Sequence, residues 1–138
     1  TVVTNALNVA AELLGKRVQT IVVGGLLREA TSSLVGPLAL EAIERMAFDR
    51  AFLGATGLTL EHGFSNSNVF EAELKRLVVA KAAEVNMLID HSKFGVLSLA
   101  SFAELPQVHR IITDRTPPES FVRACEDAGV ELVAVENG

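Results

Sequence analysis

Short runs rich in β-branched residues alternate with stretches of helical periodicity along nearly the whole chain, and this alternation constrains the fold more than any other feature. Strands are expected at 18–23, 50–55, 86–90, 110–113 and 131–135, and Val2-Val3-Thr4 reads as the end of another. Helices are expected at 6–14, 38–46, 69–85 and 119–128. Asn5 is placed as the N-cap of the first helix and Gly15 as its stop, Pro37 and Pro117-Pro118 suit first turns, and Gly129 ends the last helix. Residues 96–99 read as a short strand, 102–105 as a short helix broken by Pro106, and 26–35 as a loop. The polar stretch 56–68 is too long for a plain connection and is therefore a candidate carrier of function. Alternation of this kind predicts an α/β fold with helices layered on a mostly parallel sheet.

Ligands of such sheets bind outside the carboxyl ends of the strands. Thr4-Asn5, Gly24-Gly25, Thr56-Gly57, Asp90 to Lys93 and Thr113-Asp114 all fall at expected strand ends. Two acid–amine pairs stand out in the chain. Glu71 and Lys75 lie one helical turn apart and flank an apolar stripe of Phe70, Leu74, Leu77 and Val78, at the edge of packing rather than in open water. Asp90 and Lys93 sit in Asp90-His91-Ser92-Lys93-Phe94-Gly95. Lysine neutralises phosphate and carboxylates accept hydrogen bonds from hydroxyls, so the two pairs together suit a small anionic, polyhydroxy ligand. His91 reads as a solvent-facing loop residue, and Gly24-Gly25 as a turn, with no further glycine at dinucleotide-fingerprint spacing.

Composition removes several other functions. The net charge of −5 makes the chain a poor nonspecific binder of nucleic acid, which needs a basic face. The apolar runs are short and broken by charges, so none can span a membrane. One cysteine, Cys125, cannot form an internal disulfide and fits a reducing cytoplasm; with three scattered histidines it offers no zinc-ligand spacing. No cofactor or metal is expected. Beginning at Thr1 inside an apolar run, the chain reads as a fragment of a longer protein.

Seven short motifs in order give the chain a family resemblance. They are Val3-Thr4-Asn5; Val22-Val23-Gly24-Gly25 with Arg28; Ser33-Leu34-Val35-Gly36-Pro37; Asp49-Arg50-Ala51-Phe52-Leu53-Gly54-Ala55-Thr56-Gly57; Glu71-Ala72 with Lys75-Arg76; Asp90-His91-Ser92-Lys93-Phe94-Gly95; and Ile111-Ile112-Thr113-Asp114. Together they resemble the C-terminal effector-sensing domain of the DeoR family of bacterial transcriptional regulators. The resemblance implies a Rossmann-like fold related to ribose-5-phosphate isomerase and the CoA transferases, with residues 1–138 forming one effector-sensing domain. It implies that a phosphorylated sugar or polyol switches a repressor whose winged helix-turn-helix, first domain strand and Gly-Thr-Thr-type phosphate loop lie outside this chain. On that reading Lys93 and Lys75 meet phosphate or ring oxygens and Asp90 and Glu71 accept sugar hydroxyls. Asn5, Gly24, Arg28, Ser92 and the Gly57 loop complete the site.

Two alternatives stand beside the sensor. Asp90-x-Ser92-Lys93 is similar to the Asp-Glu-Ser-Lys motif of ribose-5-phosphate isomerases, which implies an aldose–ketose isomerase. The acidic stretch those enzymes carry has no counterpart in Phe52-Leu53-Gly54-Ala55-Thr56-Gly57, however, and proton shuttling needs a carboxylate base. The apolar run Leu132-Val133-Ala134-Val135 and the sheet edges also suit a homo-oligomer, an arrangement compatible with sensing.

Overall fold

A computed structural model describes residues 1–136, which fall into two units, Thr1–Met46 and the chain from Ala47 onward. In the first, β1 (Val2–Thr4) and β2 (Thr20–Val22) pair in parallel across α1 (Leu7–Leu13). β3 (Leu26–Arg28) and β4 (Ser33–Val35) then form an antiparallel hairpin, and α2 (Pro37–Glu44) follows with Pro37 in its first turn. The segment read as a loop at 26–35 is thus a hairpin, closed by a turn in which Ser32 adopts a left-handed conformation (φ 53°). Its strands are three residues each, too short for a periodic signal. Val23, Val35, Ala39 and Ile43 are buried. Gly25 (φ 152°) lies so close to Val35 that a Cβ there would collide with the Val35 carbonyl oxygen.

The second unit is organised by four parallel strands in the order β11–β10–β8–β5. These are β5 (Phe48–Leu53), β8 (Ala82–Leu88), β10 (Arg110–Thr113) and β11 (Glu131–Ala134). α3 (Val69–Lys81) joins β5 to β8 after an antiparallel excursion, and α4 (Glu119–Ala128) joins β10 to β11. The excursion is β6 (Gly57–Thr59) and β7 (Gly63–Asn66), with β9 (Ala100–Ala103) added to the edge of β7. The architecture is mixed α/β, with a mostly parallel central sheet flanked by helices, as the alternation requires. The core joins one face of the sheet (Val85, Met87, Ile111) to Phe121 and Cys125 of α4 and to Ala72 and Val79 of α3, with Leu58, Phe64 and Phe102 from the small sheet.

Several sequence expectations are corrected here. The helix expected to run to 85 ends at Lys81, because Ala82 turns extended and pairs with Phe48. Strand pairing overrides helical propensity in this short apolar run. The strand expected at 96–99 falls at Ala100–Ala103, which also displaces the short helix; only a 3₁₀ turn at Leu105–Gln107 remains. The polar stretch 56–68 is a hairpin whose hydroxyls and amides are used internally. Thr56 Oγ1 is within hydrogen-bond distance of the Ser65 carbonyl and of Ser98 Oγ, and Ser65 Oγ accepts from the Ser98 amide. Asn68 caps α3 by accepting from the Glu71 amide at 3.0 Å, a contribution of about 1 kcal/mol.

Candidate functional site

β8 and β10 run side by side, Leu88 opposite Ile112, and the ladder continues one step as the Ile89 amide donates to the Ile112 carbonyl. Both chains then turn away at the carboxyl edge, which brings Asp90 to Lys93 next to Asp114. Asp90 Oδ1 accepts from the Ser92 amide at 2.8 Å and from the Ser92 hydroxyl. The Ser92 hydroxyl and amide, with a smaller contribution from Lys93, hold the Asp90 carboxyl below its ordinary range. Asp114 places one carboxylate oxygen on the His91 amide and the other on His91 Nδ1, both at 2.6 Å. These bonds to His91 bring the Asp114 carboxyl down to about 2. Lys93 is half-buried, and among the described residues its ammonium makes no hydrogen bond or ion pair.

The Gly57 loop docks on this segment. The Gly95 amide donates to the Leu58 carbonyl at 2.7 Å, and a Cβ on Gly57 would strike the Val96 carbonyl oxygen, so only glycine allows the approach. Lys75 reaches the same edge. Its Nζ donates to the Gly54 carbonyl at 2.9 Å, and Gly54 itself lies against the Leu88 carbonyl. Burial lowers the Lys75 pKa, Glu71 opposes that shift, and the ammonium lies 5.6 Å from the Phe102 ring centre. One of its three donors is engaged, leaving two.

Of the nine residues singled out in the sequence, Gly57, Lys75, Asp90, Ser92 and Lys93 therefore gather at the carboxyl edge of the second unit, with Glu71 acting on Lys75. Glu71 is 9% exposed while Phe70 is 45% exposed, so the buried stripe of α3 is rotated from the one read in the sequence. Asn5, Gly24 and Arg28 belong to the first unit. Asn5 does not cap α1. Its Nδ2 donates to the Leu34 carbonyl and its carbonyl accepts from the Leu34 amide, which fastens the end of β1 to the hairpin. Arg28 ends β3 opposite Ser33, and Gly24 follows β2 with open space on its Cβ side. The sequence reading missed the His91–Asp114 pair, although both residues stood in motifs at adjacent strand ends.

A row of charges crosses the other face of the same sheet. Arg50 meets Glu84 at 3.2 Å, Arg110 meets Glu131 at 2.9 Å, and Arg110 Nη1 donates to Asn86 Oδ1 at 2.8 Å. Fully buried Asn86 donates in turn to Glu84 and to the Ala51 carbonyl. Glu84 is held below its ordinary range, first by the Asn86 bond and then by Arg110 and Arg50. Cys125 is buried, which raises its thiol pKa and leaves it inert. No group of three or more His, Cys, Asp or Glu side chains among the described residues could hold a metal ion, and no helix among them is long and apolar enough to cross a membrane.

Comparison with known proteins gives a consistent result. The family model described as the DeoR C terminal sensor domain matches residues 1–115. The HTH-type transcriptional regulator GlpR of Haloferax volcanii is 40% identical over 131 residues, covering 95% of this chain and 51% of that protein. The HTH-type transcriptional regulator IolR of Bacillus subtilis is 35% identical over 129 residues, covering 92% and 51%. The glycerol-3-phosphate regulon repressor of Escherichia coli is 30% identical over 132 residues, covering 95% and 52%. The chain spans about half the length of the curated relatives it matches. The matched domain is a sensor, not a catalyst, so the isomerase alternative is set aside.

Proposed function

The chain belongs to the DeoR C-terminal sensor domain family, and on that footing we propose that it is the effector-sensing part of a repressor of sugar metabolism, taking a phosphorylated sugar or polyol at the carboxyl edge of the four-stranded sheet. The observation that carries this reading is Lys93: a half-buried ammonium that makes no hydrogen bond or ion pair among the described residues, beside a loop whose other polar side chains are tied down. Its ammonium donors are open to an anion, and a phosphate ester supplies one. Asp90 keeps a second carboxylate oxygen for a hydroxyl, and Lys75 adds a second cation at the same edge. One relative's name refers to glycerol 3-phosphate, which is such an ester.

The fold that accompanies this reading is Rossmann-like, of the ribose-5-phosphate isomerase and CoA-transferase kind. DNA contact belongs to a helix-turn-helix outside this chain, since the chain itself is acidic. The protein acts in the cytoplasm as a homo-oligomer, and binding shifts it between states of different DNA affinity.

A thermal-shift panel on the intact protein tests the reading, with phosphate esters beside their unphosphorylated counterparts and an extrinsic dye, since this chain has no Trp and no Tyr. An effector at 100 times its dissociation constant stabilises by about 2.7 kcal/mol. One or more phosphorylated hits that vanish in Lys93→Ala are expected. A panel without a phosphorylated hit contradicts the reading.

A further inference from the structure

Two of the seven motifs meet through one carboxylate. Asp114 spends both oxygens on His91, one on the backbone amide and one on Nδ1, each at 2.6 Å, and Oδ1 also takes the Thr113 hydroxyl at 3.3 Å. An ionised carboxylate only accepts hydrogen bonds, so Nδ1 carries the proton and Nε2 is the ring's outward nitrogen. Nε2 takes no hydrogen bond among the described residues. On the other side of His91, Ser92 ties Asp90 through its amide and its hydroxyl. The loop is thus fixed at residues 90 and 91 from two directions, while the Lys93 side chain makes no hydrogen bond among the described residues.

We propose that Asp114 and His91 form a positioning clamp that holds the Asp90–Lys93 loop in its ligand-ready shape before a phosphorylated effector arrives, and so sets effector affinity. The clamp ties the loop that follows β8 to the end of the neighbouring strand β10. Asp90 and Lys93 remain available because a residue from the neighbouring strand does the bracing. Preorganisation raises affinity by lowering the ordering cost of binding rather than by adding a contact. Asp114 and His91 are positioning residues here, and the inference rests on the reading of Lys93 as the phosphate contact.

The test is calorimetric titration of the intact protein with glycerol 3-phosphate, ribose 5-phosphate, fructose 6-phosphate and inorganic phosphate. Wild type is compared with Asp114→Asn, His91→Ala and Lys93→Ala, and the imidazole nitrogens of His91 are followed by NMR. Asp114→Asn keeps the shape of the side chain, but its amide nitrogen cannot accept from Nδ1–H. The expected result is an affinity about tenfold weaker in Asp114→Asn, and a His91 proton on Nδ1 in wild type that moves to Nε2 in the variant. His91→Ala, which keeps the backbone bond to Asp114, is expected to lose a similar factor and serves if Asp114→Asn does not fold. Wild-type affinity in either folded variant, with Lys93→Ala impaired, overturns the clamp and leaves the sensor reading standing. Silence of wild type towards all four probes overturns both.

Discussion

Two groups of charges lie on the same parallel sheet and differ in one respect. Across the face, Arg50, Glu84, Arg110 and Glu131 alternate in sign over four strands, and Asn86 fills the gap between them, so every charge has an opposite neighbour. At the carboxyl edge, Asp90, His91 and Asp114 are bonded but Lys93 is not. The first group is electrostatically complete without a ligand and explains itself as structure. The second holds an ammonium, Lys93, with no hydrogen bond or ion pair among the described residues, and on the proposed reading this is where the effector's phosphate binds. Charge density alone does not separate the two groups, whereas a count of partners does.

That contrast can be broken by crossed substitutions. The largest effect is expected from Asn86→Ala, which strips a buried Arg110 contact and leaves the Ala51 carbonyl without its partner. The expected loss is about 3 kcal/mol of stability in a denaturant melt, with effector affinity unchanged. Lys93→Ala should do the reverse. A roughly 30-fold loss of effector affinity, about 2 kcal/mol, is expected in a titration, with the melt unaltered. If both variants moved both readouts together, the division into a structural row and a binding edge would fail.

Acid sharpens the comparison further. The Asp114 carboxyl sits at about 2 in the folded protein against an ordinary 3.8, because His91 bonds its charged form. A carboxyl lowered in this way stabilises the fold above pH 3.8, and that contribution is lost as pH falls from 3.8 towards about 2. Asp114→Asn should therefore flatten the stability profile in this window, as read by melts at half-unit steps, and leave it unchanged near neutrality apart from a constant offset. The smallest effect belongs to an exposed pair such as Glu119–Arg123 (3.3 Å) on α4. Arg123→Ala should shift neither melting nor binding measurably, since solvent screens such pairs.

The sequence disclosed the parallel sheet through its β-branched runs and α4 through Pro118 and Gly129, both of which flank the helix as expected. It misjudged elements whose length hides their period. β3, β4 and β6 are three residues each, and Ala82-Ala83 fits a helix end as well as a strand start until Phe48 pairs with it. Asp90, Ser92 and Lys93 could be singled out because acid and amine stand close in sequence at a strand end. The His91–Asp114 bond could not, because its partners are 23 positions apart and only the adjacency of β8 and β10 joins them. Asn5 was misassigned for the same reason. A helix cap is a local contact that spacing can suggest, whereas its actual bond runs 29 positions along the chain to Leu34.

The most direct measurement is a crystal structure of the intact protein with the phosphate ester that binds it most tightly. The account predicts phosphate oxygens within hydrogen-bond distance of Lys93 Nζ, with the Asp114–His91 bonds intact and the Arg50–Glu84–Arg110–Glu131 row untouched. A phosphate seated on Arg50 or Arg110, or an effector bound with Lys93 in open solvent, would contradict it.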